Sequence, residues 1–107
     1  MSTPYAHLAA FSSLLARDED AGRLNTRHVQ LVSEICAHAP ISIGELAIKS
    51  HLSPSQTSRL VDFLTERGFI SRTVNPSNRR ISLLEPTPAG RALDSRVRAH
   101  FVAATAA

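Results

Sequence analysis

The sequence has one cysteine and no long apolar run, and each shortage excludes a class of protein. With Cys36 alone, the 107-residue chain forms no internal disulfide, so we do not expect a disulfide-stapled secreted scaffold. No apolar stretch approaches the length of a membrane span, and the first residues lack the basic start and apolar stretch of a signal peptide. We therefore predict a cytoplasmic protein without membrane association, able to bury a modest core as one domain.

Motifs of catalysis and metal binding are also missing. We find no glycine-rich phosphate loop, no G-x-S-x-G elbow and no pair of carboxylates in an evident cleft, so we expect neither an enzyme nor a bound cofactor. The five histidines show no HxxxH spacing, and Cys36 with His38 alone is not a metal site. Cys36 could be a redox switch, but it lies on the apolar face of a predicted helix, where free cysteine commonly behaves as a small apolar residue.

Positive charge is concentrated in the second half of the chain. Residues 1–40 carry three arginines against four carboxylates, whereas residues 53–82 carry five arginines against two carboxylates, within a net charge of +3. Charge clustered in this way favours a nucleic-acid surface. Because Lys49 is the only lysine, nearly all basic residues are arginines, which suit bidentate and minor-groove contacts, although a GC-rich genome would produce the same bias.

Apolar spacing and capping signals predict five helices, over about residues 3–17, 25–38, 43–51, 54–67 and 87–103. Thr3-Pro4 offers the first helix an N-cap with proline at the first position. In the second helix, the residues expected on the apolar side are Val29, Leu31, Val32, Ile35 and Cys36. In the third helix, which Ser42-Ile43-Gly44-Glu45 opens as a capping box, the residues expected on the inner side are Leu46, Ala47 and Ile48.

The stretch from Ser53 to Gly68 carries the clearest signals. Ser53-Pro54-Ser55-Gln56 is a capping box with proline in the first turn, and Gly68 is a natural C-terminal cap. The predicted inner face consists of Thr57, Leu60, Val61 and Leu64. The predicted outer face consists of Ser55, Gln56, Ser58, Arg59 and Asp62. This outer face can form hydrogen bonds without dense charge, whereas a purely solvated face would more often carry Glu–Lys pairs.

A basic hairpin follows this helix. Residues 69–74 and 80–84 predict two strands around the turn formers Asn75-Pro76-Ser77-Asn78, and in the second strand Ile81 and Leu83 alternate with Arg80 and Ser82. Residues 41–43 predict a short strand that pairs downstream. The fold class is therefore mainly α with a small β-hairpin (α+β). The order of elements is that of a winged helix-turn-helix, in which one helix enters the major groove and the hairpin reaches the adjacent backbone or minor groove.

The chain from Leu24 to Leu93 resembles the MarR (multiple antibiotic resistance regulator) family of bacterial transcription factors. The most specific parts are the LSPSQTSRLVDFLTERGFI segment, the NPSNRR wing tip and the TPAG helix start, in this order and spacing. The resemblance implies a single domain over residues 1–107, with a DNA-binding core over about 24–85 and terminal dimerisation helices over about 3–17 and 87–103. It also implies a homodimer that binds a pseudo-palindromic site in double-stranded DNA, usually as a repressor.

The resemblance places helix 54–67 in the major groove and the wing, residues 75–80, at the minor groove, with Arg80 entering it. The residues expected to contact DNA are Ser53, Ser55, Gln56, Ser58, Arg59, Arg72, Arg79 and Arg80. Arg59 could pair with guanine or hold a phosphate, and Gln56 and Ser58 could touch bases or only phosphates. Arg72 could bind phosphate or support the wing, and Arg79 could bind phosphate or an intramolecular partner.

The chain departs from the family pattern in two ways, at the wing and in its length. The family usually has aspartates where this chain has Asn75 and Asn78, and the second of them orients the wing arginine. Asn78 can still accept a hydrogen bond from Arg80 and support the wing, without charge assistance. The chain is also short for the family, so we expect a reduced dimer contact, which disfavours a small-molecule effector. The apolar residues expected in that contact are Leu8, Phe11, Leu15, Leu93, Val97 and Phe101.

Two other functions remain open. A winged helix can serve as a protein–protein interaction module that does not itself read DNA, and such a module should expose an apolar patch on the outer face of residues 53–67. Alternatively, the short termini suit an antirepressor subunit that pairs with a full-length relative and blocks it.

Overall fold

A computed structural model describes residues 4–106, and the predicted N-cap Thr3 lies outside them. Within this range the helices are α1 (Pro4–Arg17), α2 (Thr26–His38), α3 (Ile43–Ser50), α4 (Pro54–Glu66) and α5 (Pro88–Thr105), with a 3₁₀ turn at Ala21–Arg23. The strands are β1 (Ile41–Ser42), β2 (Ile70–Asn75) and β3 (Asn78–Pro86). This confirms the predicted fold class, mainly α with a small β wing. Nowhere in residues 4–106 is there a helix of the length and apolarity that crossing a membrane requires.

Polar side chains cap the starts of the helices, as the sequence largely predicts. Asn25 Oδ1 accepts the His28 N–H at 3.0 Å while His28 Nδ1 accepts the Asn25 N–H at 3.2 Å, so α2 begins with a capping box that uses histidine instead of glutamate. Ser42 Oγ accepts the Glu45 N–H at 3.2 Å, but the Glu45 carboxylate contacts the Ser42 hydroxyl instead of its backbone N–H. The box predicted at Ser42 is therefore only half formed.

The core lies where α2, α3, α4, α5 and β3 meet. Its fully buried large side chains are Leu31, Val32, Ile35, Ile41, Leu46, Val61, Leu64, Leu84 and Leu93. One prediction for α3 is wrong, because Ile48 is 78% exposed. The buried residues of that helix are Leu46, Ala47 and Ser50, so its short inner face follows the i, i+1, i+4 positions and turns Ile48 outward.

The sheet has the order β1-β3-β2, with β3 in the centre and antiparallel to both neighbours. Ile41 pairs with Leu84, and both side chains are buried. The alternation predicted for the second strand does not separate its faces, since Ile81 is exposed and Leu83 is only half-buried while Leu84 is the core residue. The sheet thus anchors the base of the hairpin to the core and leaves its tip outside.

The end of α4 is joined directly to the start of α5. Thr87 donates its hydroxyl to the Gly68 carbonyl at 2.6 Å and its N–H to the Phe69 carbonyl at 3.1 Å, while its hydroxyl oxygen accepts the Gly90 N–H at 3.1 Å. A Cβ on Gly90 would lie 2.0 Å from the Phe69 carbonyl oxygen. Only glycine permits this approach, and the junction fixes α4 relative to α5.

A buried carboxylate joins the segment after α1 to α5. Asp18 is 3% exposed at its side chain; its Oδ1 accepts the N–H groups of Asp20 and Ala21, each at 3.0 Å. Its Oδ2 accepts from Arg96 Nε at 3.1 Å and lies 2.8 Å from His100 Nε2, and Arg96 also pairs with Asp20. Burial alone would raise the pKa of Asp18, but hydrogen bonds from Ala21, His100, Arg96 and Asp20 outweigh it and hold that pKa well below its usual range.

We expect Asp18→Asn to lower the free energy of unfolding by about 2 kcal/mol near neutral pH, because the buried carboxylate accepts four hydrogen bonds or ion pairs. Its pKa is depressed in the folded state, so its contribution is complete above the unfolded-state pKa of about 3.9 and declines as pH falls below that value. Urea denaturation at about pH 7 and about pH 3 should therefore show the gap between wild type and variant narrowing in acid. Glu19→Gln, an exposed neighbour with the same charge change, is the control. A gap of equal size at both pH values would contradict this account.

Candidate nucleic-acid interface

Helix α4 has a defined start and a defined end. Ser53 Oγ accepts the Gln56 N–H at 3.1 Å and Gln56 Oε1 accepts the Ser53 N–H at 3.1 Å, so the predicted capping box is complete. At the other end, Gly68 has φ 80°, its N–H donates to the Thr65 carbonyl, and the Phe69 N–H donates to the Leu64 carbonyl. This is a Schellman ending with glycine in the left-handed position. Both ends of the helix are therefore fixed by local bonds.

The two faces of α4 are close to those predicted. Thr57, Val61 and Leu64 are buried, while Leu60 is only half-buried. The predicted outer residues Ser55, Gln56 and Arg59 are exposed, and Ser58 is half-buried at the edge of the outer face. Three polar side chains of different type thus project from the first turn and a half of one helix.

The cap restricts what Ser53 and Gln56 can offer a partner. The Ser53 hydroxyl also donates to Gln56 Oε1 at 3.1 Å, so both groups of Ser53 are used within the cap. The side-chain carbonyl oxygen of Gln56 accepts both bonds of the cap, and its amide NH₂ group remains available as a donor for other contacts. Of the two predicted contact residues, Gln56 is therefore available as a donor and Ser53 acts mainly as the cap.

Arg59 lies beside a residue that the sequence did not single out. Arg59, Gln56 and Leu60 line a shallow cavity of about 200 Å³ together with Arg27 from the first turn of α2. Arg27 is exposed, and periodicity could not have found it because its proximity to α4 depends on how the two helices cross. The only signal in the sequence was a basic residue in a helix turn without acidic neighbours.

An aromatic ring fixes α4 against α2. The rings of His28 and Phe63 stack with centroids 4.3 Å apart and an interplanar angle of 8°, and the Arg67 guanidinium lies 4.6 Å from the Phe63 centroid. Burial and the charge of Arg67 both lower the pKa of His28, which favours the neutral ring whose Nδ1 accepts the Asn25 N–H. The position of the outer face of α4 is therefore supported from behind.

The wing tip departs from a regular hairpin. Val74 pairs with Ser82 and Asn75 with Asn78, so Arg79, Arg80 and Ile81 lie in a bulge between these two pairs. Bulges re-aim side chains that a regular strand would alternate between faces. Both arginines are exposed, and Arg80 lines a cavity of about 300 Å³ with residues 42–44 at the start of α3.

Asparagines shape the turn of the wing. Asn75 Oδ1 accepts the Ser77 N–H at 2.9 Å, and Asn78 Oδ1 accepts the Arg80 N–H at 3.1 Å. The bond predicted from the Arg80 side chain to Asn78 is not formed among residues 4–106; Asn78 accepts the backbone N–H of Arg80 instead. Asn78 fixes the backbone of the wing and leaves the Arg80 side chain unconstrained.

Arg72 supports the wing from its base. Its Nη2 lies 2.9 Å from Asp62 Oδ1, and the Arg72 side chain is 33% exposed. The ion pair connects β2 to the outer edge of α4, so Asp62 is not a free residue of the outer face. Of the two roles that the sequence left open for Arg72, the geometry favours support over a phosphate contact.

The geometry is that of a winged helix-turn-helix, and the sequence profile of the MarR family matches residues 24–82, more than half of the chain. The chain belongs to the MarR family. The structure is similar to RV1404 from Mycobacterium tuberculosis, with a TM-score of 0.83 and 26% identity, covering 91% of this chain and 65% of that one. It is similar to CouR from Rhodococcus jostii RHA1, solved with bound p-coumaroyl-CoA, with a TM-score of 0.73 and 33% identity, covering 92% and 66%.

FabT from Streptococcus pneumoniae, solved in complex with DNA, shares the fold alone, with a TM-score of 0.82 and 13% identity, covering 92% of this chain and 69% of FabT. The chain thus spans about two thirds of the length of these relatives. None of the curated proteins matches the chain. The similarity to these three solved structures shows that the chain has the fold of MarR-family transcription regulators.

In this MarR fold, the six residues predicted for dimerisation differ in exposure and form three pairs: buried, half-buried and exposed. Leu93 and Val97 are 0% and 8% exposed, so within the chain itself they pack in the core, and their part in a dimer contact stays a prediction. Leu15 and Phe11 are half-buried against the core, and the Phe11 and Phe101 rings meet edge to face with centroids 5.5 Å apart. Leu8 and Phe101 are 59% and 54% exposed.

Cys36 is half-buried, and its thiol lies 3.9 Å from the Gly90 carbonyl oxygen. Burial raises the pKa of the Cys36 thiol, and the Asp94 carboxylate raises it further. A raised pKa keeps the thiol protonated, which is its less reactive form. The surroundings of Cys36 thus match a packing role better than a redox role. In residues 4–106, no group of three or more histidine, cysteine, aspartate or glutamate side chains is arranged to hold a metal ion.

Proposed function

We propose that the chain is a sequence-specific regulator of transcription that binds double-stranded DNA, as a homodimeric repressor on a pseudo-palindromic operator. In this proposal the exposed face of α4 reads the major groove, and the wing, residues 75–80, reaches the minor groove with Arg80. The fold itself does not decide function, so the proposal depends on the residues that α4 and the wing expose.

One observation carries the proposal: the exposed guanidinium groups of Arg59 and Arg80 have no hydrogen bond or ion pair with any other residue between 4 and 106. Unpaired arginines beside free amide and hydroxyl donors suit the acceptors of guanine, adenine and phosphate. Arg72, by contrast, is paired with the carboxylate of Asp62. FabT, which shares the fold, was solved with DNA, and this adds support.

The competing interaction module would expose an apolar patch on α4. Among residues 4–106, none of the large exposed apolar side chains lies on that helix; they are Tyr5, Leu8, Ile48, Val74, Ile81, Phe101 and Val102. Val74 and Ile81 lie in the hairpin strands directly beside the wing, where apolar contacts with bases are also possible. The polar outer face of α4 therefore supports DNA reading over protein docking.

The proposed homodimer is supported by the exposed side chains of the terminal helices. Helix α1 packs on α5, and Tyr5, Leu8, Phe101 and Val102 remain exposed along these two helices. A second copy would remove this apolar surface from water, and self-complementary contact of this kind is usual for two-fold dimers. Two copies of α4 would then lie on the same side of the DNA.

A cavity beside the terminal helices is large enough to hold a small-molecule effector. A space of about 550 Å³ lies between α1, α2 and α5, lined by Phe11, Ser33, Asp94, Val97, Arg98, Phe101 and Val102. Small-molecule sites commonly have volumes of about 300–1,000 Å³. CouR was solved with p-coumaroyl-CoA. The expectation against an effector depended on a lack of room in a reduced dimer, and Phe101 and Val102 line this space and also belong to the proposed dimer contact, so the effector stays an open part of the proposal.

Selection of bound sequences from random duplex DNA tests the proposal. We expect enrichment of a sequence with two half-sites about one helical turn apart, and an affinity that falls steeply with salt as counterions return to the phosphates. Light scattering after size exclusion, with and without the selected duplex, should give two chains per duplex. Failure to enrich any sequence at low salt would remove DNA reading from the proposal and favour the interaction module or the antirepressor.

A further inference from the structure

Arg27 extends the exposed basic face beyond α4. It belongs to the first turn of α2, yet it lines the same cavity of about 200 Å³ as Gln56, Arg59 and Leu60. Arginines from two different helices therefore line one shallow cavity together with Gln56. Because α2 and α4 are fixed to each other through the His28–Phe63 stack, this placement belongs to the packed core arrangement and not to a mobile loop.

The charge of Arg27 is not compensated within the described part of the chain. Residues 4–106 provide no hydrogen bond or ion pair to its guanidinium, and the first turn of α2 contains no acidic residue. The outer carboxylate of α4, Asp62, is already paired with Arg72. Two like charges that face one cavity repel each other, and an anion placed between them would relieve that repulsion.

The position of Arg27 in α2 indicates which anion would lie between Arg27 and Arg59. Arg59 belongs to the helix proposed to enter the groove, whereas Arg27 belongs to the helix packed behind it, which in that arrangement would lie beside the rim of the groove. A side chain on a supporting helix reaches the sugar–phosphate backbone more readily than the base edges. We propose that Arg27 binds a backbone phosphate of the DNA strand that borders the groove read by α4, and so fixes the register of that helix; this inference rests on the proposed DNA-binding function.

The test compares the wild type, Arg27→Ala, Arg27→Lys and Arg17→Ala on the DNA selected by the wild-type protein. Arg27→Ala should weaken binding by about tenfold at low salt, to the same extent on the selected site and on its single-base variants. The negative slope of log K against log salt should become shallower by about 0.9 per chain, the value expected for one lost phosphate contact. Arg27→Lys should retain most of the affinity, because an ammonium group also binds phosphate as a point charge.

Arg17→Ala is the matched control, since Arg17 is an exposed arginine of α1, a helix that packs on α5 and the 3₁₀ turn. It removes the same charge and should leave the salt slope unchanged. Arg27→Gln is a second neutral variant that keeps a long helix-forming side chain, should Arg27→Ala lower the melting temperature.

Three results would overturn the inference. Arg27→Ala could bind with wild-type affinity and slope, which would leave Arg27 outside the interface. It could alter base preference at one position, which would make it a base contact. The wild type could fail to bind any duplex, which would remove the proposed function together with this inference. In the first two cases DNA binding by the wild type would persist, so the two failures are distinguishable.

Discussion

Arg59→Ala is expected to weaken binding to the selected operator by roughly 5- to 150-fold and to abolish the preference for one base pair in each half-site, because a bidentate arginine–guanine contact contributes about 1–3 kcal/mol of discrimination. Arg59 is exposed and lies on the outer face of α4, next to the free amide of Gln56. The measurement is a set of equilibrium titrations on the selected duplex and on variants with each base pair replaced in turn.

Arg80→Ala provides the informative contrast. It should weaken binding at most sites and reduce the dependence on minor-groove width without changing base preference in the major groove. Arg17→Ala, which removes an exposed arginine from α1, should leave both properties unchanged. If Arg59→Ala and Arg80→Ala both bound the selected duplex as the wild type does, the surface assigned to DNA reading would be wrong.

Gly90→Ala is expected to lower the free energy of unfolding by about 2–4 kcal/mol, because the new methyl group would lie 2.0 Å from the Phe69 carbonyl oxygen. That carbonyl belongs to the backbone and accepts the Thr87 N–H, so it cannot yield as a flexible side chain would. Relief requires α5 to move away from the end of α4. Chemical denaturation measures the loss, and DNA titration of the remaining folded protein should show weakened operator binding.

Gly44→Ala is the control for this substitution. Its added Cβ would meet only Ser42 Oγ, at 4.0 Å, and the position is inside α3, where alanine is favoured over glycine by up to about 1 kcal/mol. We expect a neutral or slightly stabilised protein. Equal stability of the Gly90 and Gly44 variants would show that the contact at the α4–α5 junction is not constraining.

The features that the sequence predicted correctly are those determined by residues close together in the chain. The capping box at Ser53 and Gln56 and the glycine ending at Gly68 depend on side chains and backbone groups within five positions of one another. For that reason the bounds of α4, and with them its exposed polar face, could be inferred before any tertiary contact was known. The family resemblance, confirmed by the match over residues 24–82, then supplied the order of the elements.

The features that were missed depend on contacts between distant segments. Asp18 finds Arg96 and His100 at separations of 78 and 82 positions, and no local pattern connects them. Arg27 reaches the cavity beside Arg59 only because α2 crosses behind α4. The bulge at residues 79–81 results from pairing between strands, so alternation within one strand could not predict the exposure of Ile81.

The bond between the Thr87 N–H and the Phe69 carbonyl has a consequence for how this protein can change. The hairpin of residues 70–86 starts and ends beside that 3.1 Å bond, and the pairing of Leu84 with Ile41 and the Arg72–Asp62 ion pair hold its base to the rest of the fold. Residues 75–80 lie beyond these contacts, so we expect insertions or deletions in the wing tip to leave α4 and α5 in place. The wing can be exchanged or redesigned as a separate part, so that minor-groove contacts and major-groove reading can diversify independently.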